Sequence, residues 1–136
     1  MNRVIRIPEY TEINCSDKPL NEQSQIWAKY FKDREDSIVT DLFEGQYSNV
    51  LKCKQCGASR RTFNKFMDLP VPIPETRHWF SKPEYELSEC LEQFTEPELL
   101  KNIGYRCSDC HCEDCVVKTM SIFRFPKILV IHLKRF

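Results

Sequence analysis

Tyr47-Ser-Asn-Val-Leu-Lys-Cys53-Lys-Gln-Cys56-Gly57 is the stretch on which the fold turns. Tyr47 to Cys53 reads as a strand, and the Cys53-x2-Cys56 knuckle reverses the chain. Arg60 to Leu69, with Phe63 and Phe66 set in it, reads as the returning strand. The hairpin is thus closed at its tip by thiols, and Gly57 supplies the left-handed position such a knuckle often uses.

Downstream, Pro70, Pro72 and Pro74 argue against regular ladder pairing, so the segment through Trp79 and Phe80 is expected to be extended edge or loop. A helix restarts near Ser88, read as its N-cap, with Leu87, Cys90, Leu91 and Phe94 along one face and Pro97 soon after. Cys90 is therefore a small core residue. Tyr105 leads into a second thiol-rich turn, Val116 to Phe123 reads as a strand, and Ile128 to Phe136 as the most apolar strand. Upstream, Ser24 is read as the cap of a helix carrying Ile26, Trp27, Tyr30 and Phe31 at helical spacing, a stripe that belongs to the core. Ile38, Leu42 and Phe43 mark a short second helix, with Gly45 at its C′ position. The fold class is α+β: an antiparallel hairpin sheet with short helices.

The second knuckle, Cys107-x2-Cys110, matches the first in spacing, so two pairs can converge as four thiolates around one ion. Zinc accepts four soft sulfur donors tetrahedrally without directional demand, and with every position filled the role is structural, not Lewis-acid. Binding worth on the order of 10–16 kcal/mol in finger peptides stands against a domain stability of about 5–15 kcal/mol, so the ion would be part of the fold. Cys112-x2-Cys115 follows at once and His111 lies between the pairs, so six thiols and an imidazole compete for four places. Cys107 and Cys110 are favoured because they follow Tyr105 as Cys53 follows its strand. A register through Cys112 and Cys115 and a set of free thiols are the other readings.

The chain has 136 residues, 20 Lys+Arg against 20 Asp+Glu, eight Cys and a pI near 6.8. A chain of this length does not need staples merely to build a core, so the cysteines require their own explanation. Charge balance argues against nucleic acid as a partner, because a phosphate reader shows a basic face. The longest apolar runs fall far short of a membrane span, and the N-terminus lacks the form of a secretory signal. In the reducing, cytoplasmic setting this implies, clustered cysteines point to metal rather than disulfides.

A thiol nucleophile needs a base and a group to orient it. Cys15, in Asn14-Cys15-Ser16, is expected to be exposed and isolated, with no helix starting there to lower its pKa. His78 in the proline-rich loop is read as a surface or partner-contact residue, and His132, opposite Ile131 and Leu133 on its strand, as a sheet-surface histidine. Glu96 and Glu98 fall in a polar stretch with no apolar pocket and are read as solvated. No catalytic residue is assigned.

Leu42-Phe-Glu-Gly-Gln46, the first knuckle, Phe63-Asn-Lys-Phe66-Met-Asp-Leu-Pro70-Val-Pro-Ile-Pro74, Leu87-x2-Cys90-Leu91-x2-Phe94, Tyr105-x-Cys107-x2-Cys110 and Ser121-Ile-Phe-Arg-Phe-Pro126 through Ile131-His-Leu-Lys-Arg-Phe136 resemble, in order, the middle of the ubiquitin-specific protease catalytic domain. The resemblance implies part of a hand-shaped, papain-like cysteine protease. Residues 1–44 would be a helical lead-in and residues 45–136 the zinc-ribbon fingers and part of the palm, in one truncated domain. A strongly apolar strand at the end of the sequence agrees with truncation, since its edge needs a cover. The implied zinc ligands are Cys53, Cys56, Cys107 and Cys110, holding one structural Zn²⁺. The implied partners are ubiquitin or ubiquitinated proteins, gripped by the fingers, with Phe63 and Phe66 as contacts. The family hydrolyses the bond after the last glycine of ubiquitin through a Cys box and a His box; neither box is present here, so the chain alone is expected to be inert. The helical lead-in resembles members linked to endosomal sorting, which implies an endosomal association. The alternatives are a stand-alone zinc-ribbon interaction module and an inactive ubiquitin-binding relative.

Overall fold

A computed structural model describes residues 2–74 and 85–135. His78, Trp79 and Phe80, and the loop reading given to them, lie outside the described residues. Helix α1 (Leu20–Lys32) and helix α2 (Ile38–Phe43) lead into β1 (Gly45–Cys53), β2 (Ser59–Phe66) and β3 (Leu69–Pro72). After α3 (Leu87–Thr95) come β4 (Glu98–Leu100), β5 (Val116–Arg124) and β6 (Ile131–Lys134). Strands in the order β2-β1-β5-β4 form an antiparallel sheet, and β3 pairs in parallel with β6. Among the described residues no helix is long and apolar enough to cross a membrane.

The expected hairpin is present, its returning strand ending at Phe66 rather than Leu69, with Gly45 opposite Phe66 at its base and Lys52 opposite Ser59 at its tip. Its centre is β1, flanked on both sides, while the outer strand β2 exposes Ser59-Arg-Arg-Thr62. Two arginines on this edge discourage pairing with a foreign strand.

Two apolar clusters hold the ends of the sheet. At the base, Phe66, Leu69, Val71 and Cys90 are buried together under Tyr47, Leu91, Phe94 and Ile122. At the tip, Cys53, Cys107 and Val116 are buried among Leu51, Ala58, Leu100 and Tyr105. Cys90 is thus a core residue, as its helical spacing predicts.

Five local expectations are corrected. Ser24 does not cap α1, which begins four residues earlier after Pro19. It is buried inside the helix, where its hydroxyl donates to Gln46 Oε1 and its carbonyl accepts from Gln46 Nε2 at 3.1 Å. This pair of bonds satisfies two buried polar side chains and ties α1 to β1. Ser88 likewise lies within α3, one residue past its first position; Glu86 is the cap, its backbone N–H donating to Glu89 Oε2 at 3.0 Å. Pro70 and Pro72 do not prevent pairing: Leu69 N–H donates to Val130 O at 2.9 Å, so alternation turns both proline nitrogens away from β6. The last strand is confined to Ile131–Lys134, because Ile128 N–H is spent on Leu42 O at 2.9 Å rather than on a ladder.

Gly45 is the fifth. It is not among the described residues with positive φ, so it is no left-handed helix terminator. It opens β1, and a Cβ there would come within 2.2 Å of the Phe66 ring. That ring is 6% exposed and stacked on Tyr47 at 4.3 Å, so it has little room to retreat. Gly45→Ala is expected to cost about 1–3 kcal/mol through overpacking alone. A chemical denaturation midpoint equal to that of the unaltered chain would refute this assignment.

Candidate metal centre

Strand β1 delivers Cys53 to the sheet tip, and the next four residues fold back so that Gly57 N–H donates to Cys53 O at 3.0 Å and Cys53 N–H to Ala58 O at 2.9 Å. The turn closes because Gly57 takes φ of +76°. The second knuckle repeats this construction with different residues. His111 N–H donates to Cys107 O at 2.8 Å, Cys107 N–H donates to Cys112 O at 3.0 Å, and His111 takes φ of +56°. His111 therefore stands four residues after its cysteine as Gly57 does, accepting a left-handed backbone that costs a residue with Cβ about 1–2 kcal/mol. Its role is in the turn, and its imidazole is not part of the sulfur cluster.

One ligand atom from each of Cys53, Cys56, Cys107 and Cys110 lies within 4.8 Å of all the others. The Cys53–Cys110 and Cys56–Cys107 sulfurs are 3.6 and 3.7 Å apart. A tetrahedral site with metal–sulfur bonds of about 2.3 Å requires sulfur–sulfur edges of about 3.8 Å, so the four positions fit a four-coordinate thiolate site. Cys53 and Cys107 are buried, Cys110 is half-buried and Cys56 is exposed. The centre is a capped tip with one side toward solvent.

The surroundings favour charge on the first sulfur. Backbone N–H groups of Cys56 and Gln55 point at Cys53 and hold its thiol down at about 6 despite burial. The N–H of Cys112 acts in the same sense on Cys110. There burial and the sulfurs of Cys56, Cys53 and Cys107 outweigh it, pushing that thiol up to about 12. Without a cation the cluster therefore resists holding several thiolates at once. A divalent ion removes that repulsion, which couples metal uptake to proton release.

The register through Cys112 and Cys115 is not what the backbone builds. The Cys112 thiol is not one of the four convergent sulfurs and donates to Glu113 O at 3.3 Å. Cys115 Sγ, however, sits 3.5 Å from Cys53 Sγ and donates to Cys112 O at 3.2 Å. It is a fifth sulfur beside the four. Its signal in the sequence was its place directly before β5, whose Val116 pairs with Cys53.

Three other residues are placed differently from expectation. Phe63 and Phe66 are 0% and 6% exposed. Phe63 meets Phe123 edge to face at 5.1 Å, and Phe66 stacks on Tyr47. Both rings point into the structure, so neither is presented for ubiquitin contact. Cys15 is not exposed but 6% accessible, in the wall of a groove it shares with Trp27, Arg61 and Asp109. His132 is exposed on β6, with Nδ1 3.9 Å from Asp68, as a sheet-surface histidine should be.

Residues 10–136 match the family described as ubiquitin carboxyl-terminal hydrolase. Among curated proteins the chain is 40% identical to ubiquitin carboxyl-terminal hydrolase 2 of Bos taurus and 39% identical to its Gallus gallus counterpart. Both comparisons cover 100% of this chain; it spans 22% of the bovine protein and 37% of the chicken protein. Among solved structures, a yeast SAGA deubiquitinating module with a mutant Sgf73 matches with TM-score 0.63 and 29% identity, over 83% of this chain and 24% of that one. The SAGA Ubp8/Sgf11/Sus1/Sgf73 module bound to ubiquitin aldehyde matches with TM-score 0.61 and 29% identity, over 85% and 25%.

Proposed function

This chain belongs to the ubiquitin carboxyl-terminal hydrolase family, and from that premise we propose that it supplies the finger portion of a deubiquitinating cysteine protease. In this reading the antiparallel sheet grips ubiquitin and a zinc ion held by Cys53, Cys56, Cys107 and Cys110 keeps its tip closed. The carrying observation is the convergence of those four sulfurs within 4.8 Å at the end of a sheet in a chain matched to the family from residue 10 onward. Ubiquitin as the partner is supported by the related module solved with ubiquitin aldehyde.

The chemistry of the whole enzyme, hydrolysis after the last glycine of ubiquitin, is assigned to boxes this chain does not carry. Among the described residues, each hydrogen-bonded thiol is joined to another thiol or to a backbone carbonyl, which supports structural rather than nucleophilic roles. Cys15 is buried in the wall of its groove, with no base bonded to it among the described residues.

The test pairs binding with turnover. The 136-residue chain is expected to shift ubiquitin resonances in a zinc-dependent manner and to leave a ubiquitin fluorogenic amide uncleaved. Turnover abolished by Cys15→Ala would overturn the assignment of the chemistry to the missing boxes. Resonances unmoved at saturating chain would overturn ubiquitin gripping.

A further inference from the structure

The fifth sulfur is not explained by a four-coordinate site. Cys115 is held in place by the sheet itself: Lys54 N–H donates to Cys115 O at 2.8 Å, and the next residue, Val116, pairs with Cys53. Two sulfurs therefore flank Cys53, Cys110 at 3.6 Å and Cys115 at 3.5 Å. Both separations are close to a tetrahedral edge of about 3.8 Å. Cys115 is half-buried, and besides its contact with Cys53 its thiol donates to Cys112 O at 3.2 Å. A change of χ1 between staggered wells moves a cysteine sulfur by roughly 3 Å without moving the backbone. A thiol so placed can reach the coordination sphere while both knuckles keep their hydrogen bonds.

We propose that Cys115 is a reserve ligand of the metal centre, able to replace Cys110 on an ion held by Cys53, Cys56 and Cys107. Cys110 is the replaceable member because it and Cys115 both lie at edge distance from Cys53 and both belong to the loop between β4 and β5. Cys53 has no such substitute. The exchange is balanced: one metal–sulfur bond forms to Cys115 and one to Cys110 breaks. The proton leaving the Cys115 thiol passes to the departing Cys110 thiolate, with no net change of charge and no oxidation. The consequence is a centre that tolerates loss or blocking of one ligand by turning to the fifth.

This inference rests on the metal reading above, and the experiment separates the two. Zinc content and Co²⁺ thiolate absorption are measured on the full chain and on C53S, C110S, C115S and the C110S/C115S double variant. The unaltered chain, C110S and C115S are each expected to hold one ion with the absorption of four thiolates. C53S and the double variant are expected to lose it, the double variant yielding zinc to a chelator at least about tenfold more readily than C110S. A C110S chain as empty or as unfolded as C53S would overturn the reserve role. So would a C115S chain that cannot hold zinc, since Cys115 would then be a primary ligand. An unaltered chain that takes up no metal would overturn both readings.

Discussion

Removing the metal, by Cys53→Ser or by a strong chelator, is expected to melt the tip of the sheet while the base stays folded. The reasoning begins with the two separate cores. The tip cluster contains Cys53, Cys107 and Val116, with Leu51, Leu100 and Tyr105 around them. Two of its three buried members are candidate ligands, so most of that cluster exists only if the sulfurs can approach one another. Apparent zinc binding of roughly 10–16 kcal/mol in finger peptides exceeds anything one valine and a few half-buried neighbours can supply. The base cluster, Phe66, Leu69, Val71 and Cys90, contains no candidate ligand and is covered by α3. Hydrogen exchange should therefore show amides of Leu51, Lys52 and Val116 losing protection on metal removal, while those of Gln46 and Ile122 keep theirs. Uniform protection before and after chelation would sink the structural role of the ion. Uniform loss would show one cooperative unit instead of two.

How far this architecture was legible depends on the kind of signal each element carries. The hairpin and its knuckle were readable because a period-two stripe, a Cys-x2-Cys turn and Gly57 all agree locally. The four-sulfur cluster was readable from spacing for the same reason. The positions that escaped reading depend on tertiary neighbours. Gly45 looked like a helix terminator because it follows α2, and only the Phe66 ring lying over it reveals why no side chain fits. Ser24 looked like a cap, whereas its hydroxyl serves Gln46 across the fold. Strand β4 is three residues after Pro97, too short for alternation to show; it exists because β5 offers it an edge. Phe63 and Phe66 were misread because, three residues apart on one strand, they lie on opposite faces, and each face is covered by a partner distant in sequence, Phe123 on one and Tyr47 on the other. His111 hid its role for a further reason: a histidine between cysteine pairs suggests a ligand, while its backbone merely repeats the turn that Gly57 makes.

Phe63→Ala is expected to destabilise the fold by about 3–5 kcal/mol, the range for removing a fully buried aromatic side chain. Phe63 has no exposed surface, lies opposite Ser48 on the central strand and meets Phe123 edge to face at 5.1 Å and 72°. The β2 and β5 strands that carry these two rings lie on either side of β1, so the pair bridges over the sheet's central strand. Aromatic contact adds about 0.5–1.5 kcal/mol beyond area burial, and deletion also leaves a cavity that edge-strand relaxation fills only in part. Against a total stability of about 5–15 kcal/mol, such a loss would leave the tip's register poorly defined even with metal bound. The variant also separates two roles. A buried support lowers the denaturation midpoint strongly, and Phe63→Leu, which keeps most of the volume, should recover much of it, costing under about 1.5 kcal/mol. A ubiquitin contact would instead leave the midpoint unchanged and weaken binding alone. That second outcome would require the ring to be presented to a partner and would overturn its place in the core.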